Sequence, residues 1–260
     1  MPLDDKNPSA DKAPIVCPRE HTHTNDLAIP RIQRFPYEGK CLDEVNAARV
    51  AAGLGELTKS VESTHRLPKE GSPEGDANEW AWKPVCEALI PTKTKSRSAR
   101  NSDVTKFQSG TYAYLPIDDP DSVDCKAVVD KWKDAYSNFD GLPPANKKDE
   151  PLYDNQENVS FVALYNPTEK ATADCRVVTC TKKTPAAAGF KAARTDGSTT
   201  ETGSALICMT VPDVLLEEGG KAPFTEEQWE QIVTALEGSA SAVAPGVVGF
   251  ALAIVGLTML

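Results

Sequence analysis

Histidine is scarce in this chain of 260 residues: His21, His23 and His65 are the three it has. A centre built on clustered imidazoles therefore has little to draw on, and His21-x-His23 sits in a proline-rich arm that cannot pre-arrange third and fourth ligands at about 2 Å. Nucleophile and phosphate motifs are missing too. The chain contains no Gly-x-Ser-x-Gly, no glycine-rich loop leading into a helix and no His-Glu-x-x-His. The expectation is a protein without catalysis that needs no metal and no cofactor. Positive charge is in deficit, with 28 Lys and Arg against 38 Asp and Glu, a net charge of −10 and a pI near 4.9. The overall field repels phosphates, which argues against nucleic acid as a partner. Met1-Pro2-Leu3-Asp4-Asp5-Lys6 lacks the apolar core of a secretion signal, so the start reads as that of a mature or truncated chain.

Long apolar runs are also absent, with one exception at the end. From Gly238 to Leu260 no residue is charged, and the stretch closes on Val247 to Leu260, an apolar run that stops at the carboxyl terminus. A spanning helix needs about 20 apolar residues. This run is shorter, and the small residues Gly238-Ser239-Ala240-Ser241-Ala242 and then Pro245-Gly246 precede it. That order matches a glycosylphosphatidylinositol (GPI) anchor signal, in which small residues at the attachment site lead through a spacer to a hydrophobic tail of about 10–20 residues. Gly238 or Ser239 is the expected attachment residue. A core helix would carry a polar face, which this tail lacks; a tail anchor inserted after synthesis suits a cytosolic protein, against which the cysteines argue.

Seven cysteines, at 17, 41, 86, 125, 175, 180 and 208, are dispersed with no Cys-x-x-Cys among them. Such dispersion points to disulfides in an oxidising compartment, with about 15 pairings open to six cysteines. Cys41, Cys86, Cys125, Cys175, Cys180 and Cys208 are the bridge candidates and Cys17 is the odd one.

Composition divides the chain into a mobile arm over 1–36, one domain over 37–237 and the anchor signal over 238–260. Apolar spacing predicts a helix on Cys41, Leu42, Val45, Ala48, Arg49 and Ala52, ended by Gly53 and Gly55. A solvated loop from His65 to Asn78 follows, then a short element holding Trp80, Trp82, Val85, Cys86, Leu89 and Ile90, with Pro84 near its start. A second main helix, capped by Asp121 or Ser122, carries Val128, Trp132, Ala135, Tyr136 and Phe139. Three strands are predicted, at Val159–Tyr165, Cys175–Cys180 and Ala205–Val211, with a long excursion over 182–204. A last helix opens on a capping box, Thr225 and Gln228, with Phe224 and Trp229 as a hydrophobic staple. Helices, then sheet, then a closing helix make an α+β domain with an antiparallel sheet.

Two surface features remain. Lys93, Lys95, Arg97, Arg100 and Lys106 form the one basic cluster; a solvated loop is the plainer reading and a patch for sulfated host glycans the sharper one. Basic loops of this kind are preferred sites of nicking, after which Cys41 and Cys86 are candidates to hold the amino-terminal piece by disulfide. Asn158-Val159-Ser160 is a glycosylation sequon, usable if Asn158 lies in the turn before a strand.

The series Cys41-Leu-Asp-Glu-Val-Asn46-x-x-Arg49 with Gly53-Leu54 and Leu57, then Cys125 before Trp132, then Val159 to Pro167 with Cys175, Cys180 and Ile207-Cys208, resembles the GPI-anchored surface antigens of Eimeria, coccidian parasites. The stretch from Phe224 to Leu236 ahead of the tail is similar to theirs as well. More distantly, the same landmarks resemble the CAP superfamily of cysteine-rich secretory proteins, antigen 5 and plant pathogenesis-related proteins, which implies a three-layer α-β-α sandwich. The histidines of the CAP metal cleft have no counterpart in the strand region, so that cleft is not expected to work here. The resemblance implies a parasite surface antigen, GPI-anchored on the extracellular face of the plasma membrane, with host-cell attachment and immune exposure as its roles. The alternative it implies is a CAP-like binder of a sterol or other small lipid.

Overall fold

The computed structural model describes residues 31–33, 39–68, 81–91, 109–147, 150–184, 199–216 and 220–241. Its centre is a sheet. Strand β4 (Thr172–Thr184) runs antiparallel to β5 (Thr199–Val211), and β5 pairs on its other side with β3 (Thr111–Ile117). The outer edge of β4 takes β1 (Arg31–Gln33) antiparallel at Thr179 to Thr181 and the two-residue β2 (Thr58–Lys59) parallel at Thr172 and Ala173. β1 lies within the stretch expected to be a mobile arm, where the alternation of Arg31-Ile32-Gln33 is too short to announce a strand. Of the rest of 1–36 nothing is described.

The side chains of β4 and β5 alternate between two cores, as a pleated strand requires. Ala173, Cys175 and Val177 of β4, with Leu206 and Cys208 of β5, face α1 (Leu42–Ala51), α3 (Cys125–Asp134), α4 (Gln156–Leu164) and α5 (Glu226–Ser241). Val178, Cys180, Ala205, Ile207 and Met209 face the opposite way and are covered by Leu67 and by Trp82, Cys86 and Ile90 in and beside α2 (Lys83–Leu89). Helices thus cover both faces of one sheet, antiparallel except for the pairing of β2 with β4.

The helix ends follow local chemistry. α1 stops in a Schellman motif: Leu54 N–H donates to Arg49 O at 2.9 Å and Gly53 N–H to Val50 O at 3.0 Å. Gly53 sits at φ +71°, which a residue with a Cβ adopts at a cost. α3 is capped by Asp124, whose carboxylate accepts from Ala127 N–H at 3.0 Å. Asp121 and Ser122, the expected caps, instead give their backbone N–H groups to Asp119 in the preceding turn. The capping box of α5 forms as read, with Thr225 N–H to Gln228 Oε1 at 3.0 Å and Gln228 N–H to Thr225 Oγ1 at 3.2 Å. Phe224 stacks on Trp229 with ring centroids 6.1 Å apart.

The expected strand at 159–165 is wrong: residues 159–164 belong to α4 and Tyr165 is its C-cap. Asn155 caps the helix, accepting from Glu157 N–H. Gln156 and Glu157 of the first turn are exposed, but Asn158, Ser160, Phe161, Val162, Ala163 and Leu164 are all buried, so the rest of the helix shows no polar face from which a 3.6-residue period could be read. Phe161 lies 5.2 Å from Phe139, 5.1 Å from Tyr165 and 6.0 Å from Trp229, centroid to centroid.

The strand that sequence reasoning missed is β3. Pro116 argues against a strand unless it lies at an edge, which is where β3 lies. On its outer edge, backbone groups of Tyr112 and Tyr114 are taken by side chains. Gln156 Nε2 donates to Tyr112 O, Tyr114 N–H donates to Ser160 Oγ, and Trp132 Nε1 donates to Tyr114 O. The hairpin strands also run further than expected, because threonines at their outer ends pair without any apolar alternation. Thr181 faces Thr202, and Thr184 faces Thr199.

Candidate functional site

No group of three or more metal-ligating side chains occurs among the described residues. What the fold assembles is a covalent framework and a buried polar staple. Cys41 is bonded to Cys125, Cys86 to Cys180 and Cys175 to Cys208, so all six candidates are bridged. Cys175 and Cys208 are direct partners across β4 and β5. The bridge from Cys86 to Cys180 fixes α2 to the other face of β4, and that from Cys41 to Cys125 joins the starts of α1 and α3. Cys17 lies outside the described residues.

The staple is formed by Asn46 and Arg49, one turn apart on α1. Asn46 Nδ2 donates to Leu57 O at 3.1 Å, and its Oδ1 accepts from Leu57 N–H at 2.8 Å. Arg49, 1 % exposed, donates from Nε to Gly55 O at 2.9 Å and from Nη1 to Leu164 O at 3.0 Å. Leu164 ends α4, where the helix dipole favours a cation. Burial lowers the Arg49 pKa to about 10, with the nearby Tyr165 pulling the other way. The Asn-x-x-Arg pattern thus has a structural use: it folds 53–57 back on α1 and pins α1 to α4.

Burial also raises the phenol pKa values of Tyr112, Tyr114, Tyr153 and Tyr165 above the usual 10.0. Below pH 10 these groups are neutral both folded and unfolded. Above it the unfolded chain releases their protons first, so stability falls as pH rises. Arg49 acts in the opposite sense over the same range, but it is one group against four. An ultraviolet absorbance titration is expected to show these phenols ionising together with cooperative unfolding, well above pH 10. Independent titration near the ordinary value in folded protein contradicts the burial.

Asn158 does not lie in a turn. It is 2 % exposed within α4, its Nδ2 donates to Leu152 O at 2.8 Å, and its Oδ1 accepts from Asn138 Nδ2 at 2.7 Å. A glycan on that nitrogen has no room in the fold, so the sequon is structural. Lys93, Lys95, Arg97, Arg100 and Lys106 lie outside the described residues. Gly238 and Ser239 fall inside α5, which runs on to Ser241. Among the described residues no helix is long and apolar enough to cross a membrane, and the apolar tail from 242 lies outside them.

Comparison with known proteins places these features. The model of the sporozoite surface antigen (SAG) protein domain matches residues 37–251. The sporulated oocyst TA4 antigen of Eimeria tenella is 33% identical over 222 residues, which cover 80% of this chain and 81% of that protein. No solved structure matches the chain. Neither result supports the likeness to the CAP superfamily, and the residues that carried it have local duties: Asn46 and Arg49 are the staple, while Cys175 and Cys180 are bonded to Cys208 and Cys86 and not to each other. The chain belongs to the sporozoite surface antigen (SAG) family.

Proposed function

We propose that this protein is a non-catalytic surface antigen, held on the outer face of the parasite plasma membrane by a GPI lipid and presented to the host cell surface as its partner. The observation that carries the reading is the family match, running to residue 251 and so into the apolar tail. The fold supports it. Three disulfides and two buried cores give a domain resistant to an extracellular setting. α5, closed onto the core by Trp229 and Ile232, leads directly into the small residues of the anchor signal. Attachment to host cells is then a matter of surface contact, with no reaction at a cleft.

The test is expression of the full-length chain behind a secretion signal in a cell that makes GPI anchors. Phosphatidylinositol-specific phospholipase C is expected to release the protein, and its mass to lack the apolar tail. Retention with the tail intact by mass contradicts the reading. For the host partner, the released protein is applied to host cells, where saturable binding is the expected result.

A further inference from the structure

Asn158-Val159-Ser160 is the one sequon in the chain, and the finished fold occupies both of the groups that make it an acceptor. Asn158 Nδ2 donates to Leu152 O and its Oδ1 accepts from Asn138 Nδ2, while Ser160 Oγ accepts from Tyr114 N–H at 3.0 Å. Asn158 is 2 % exposed and Ser160 is 0 % exposed. Much of what closes α4, however, comes later in the chain. Phe161, next to the sequon, packs on Phe224 and Trp229 with ring centroids 6.4 and 6.0 Å apart. β3, which Ser160 holds, joins the described sheet through β5. Trp229 is made about 70 residues after Asn158, which takes about 4–14 s at a synthesis rate of about 5–20 residues/s. Over that interval no folding rate, however fast, can enclose α4 as in the finished domain, because these covering side chains have not been made.

We propose that Asn158 accepts an N-glycan only in the unfinished chain, and that a chain modified there is barred from the fold. This rests on the extracellular reading, which takes the chain through the secretory lumen where such glycans are added. The co-reactant is a lipid-linked oligosaccharide diphosphate. The Asn158 amide nitrogen bonds to the anomeric carbon of the first sugar, and the bond from that carbon to the diphosphate oxygen breaks. The lipid diphosphate leaves, and the amide nitrogen gives up one proton. In the folded domain that nitrogen faces Leu152 O inside a closed core. A sugar on it separates α4 from the turn at Pro151–Asp154 and from Asn138, and so keeps Phe161 from Phe139, Phe224 and Trp229. The site is a branch point: chains that escape the transferase fold, and chains that meet it do not.

The experiment expresses the full-length chain behind a secretion signal in a cell that adds N-glycans and makes GPI anchors. Peptide mapping without reductant sorts the chains into those with all three bridges and those without. A glycosidase that leaves Asp at a formerly glycosylated Asn then reports position 158 by mass. The bridged pool is expected to carry unmodified Asn158, with glycan confined to the other pool. Phe161→Ala leaves the sequon whole and removes the ring around which the later residues close. The glycosylated share of all chains is expected to rise several-fold in that variant.

Glycan on Asn158 in the bridged pool overturns the proposal. So does its absence from both the wild type and Phe161→Ala, or an equal share in the two. Because bridging, not release by phospholipase, sorts the pools, a chain that keeps its apolar tail overturns the anchor reading and leaves the result at Asn158 standing.

Discussion

Arg49→Ala is expected to destabilise the folded domain by roughly 4 kcal/mol, since each hydrogen bond from a charged donor contributes about 1.5–3 kcal/mol. For a domain of this size the fall in Tm is about 10 °C. The two carbonyls that lose their partner belong to Gly55 and Leu164, in segments 115 residues apart from Arg49 in the second case. Both the turn after α1 and the contact of α1 with α4 loosen together. Arg49→Met separates the two contributions. It fills most of the volume and removes a buried charge, whose burial is itself unfavourable, so a smaller loss of about 2 kcal/mol is expected. Arg49→Lys does not rescue, because one ammonium lacks the fork that reaches two carbonyls. Urea unfolding with the disulfides intact measures all three; a loss under about 1 kcal/mol for Arg49→Ala contradicts the staple.

The second large effect concerns cleavage. Trypsin acting within 92–108 is expected to divide the chain into pieces that stay together without reductant and separate on unfolding with it. Two bridges cross that interval, Cys41 to Cys125 and Cys86 to Cys180. The earlier piece contributes β1, α1, β2 and α2, and the later one supplies the other strands and helices. Noncovalent ties cross as well, from Arg49 to Leu164 and from Leu67 N–H to Asp174 Oδ2 at 2.8 Å. The nicked protein is therefore expected to keep its fold and unfold somewhat earlier. Gel electrophoresis with and without reductant reads the first claim and circular dichroism the second. Two separate species without reductant contradict the pairing.

The parts legible in the sequence were those with one wet face. α1, α3 and the described part of α5 each bury a stripe beside exposed residues, and their apolar spacing shows it. The capping box of α5 was readable because both of its members are local. α4 was not, since burial beyond its first turn removes the period and its β-branched residues then favour a strand reading. β3 hid behind Pro116, and the outer hairpin behind threonines whose cross-strand partners are far along the chain. Among the site residues, the six bridged cysteines were identifiable by dispersion, but their pairing was not: a register such as Cys175 opposite Cys208 is set by tertiary pairing. The sequon at Asn158 could not be decided from sequence, because a three-residue pattern carries no information about burial. Asn46 and Arg49 were visible as a pattern, yet their carbonyl partners leave no mark in sequence, since every residue has a backbone oxygen.

The covering of β3 has a meaning beyond the single molecule. Proteins confined to a surface meet one another at high local concentration, and a bare strand edge at such density would add neighbours one after another into sheets. Gln156, Ser160 and Trp132 occupy the backbone groups through which that growth would start. At this edge of the sheet, a crowded coat built from this domain is therefore guarded against strand-by-strand growth.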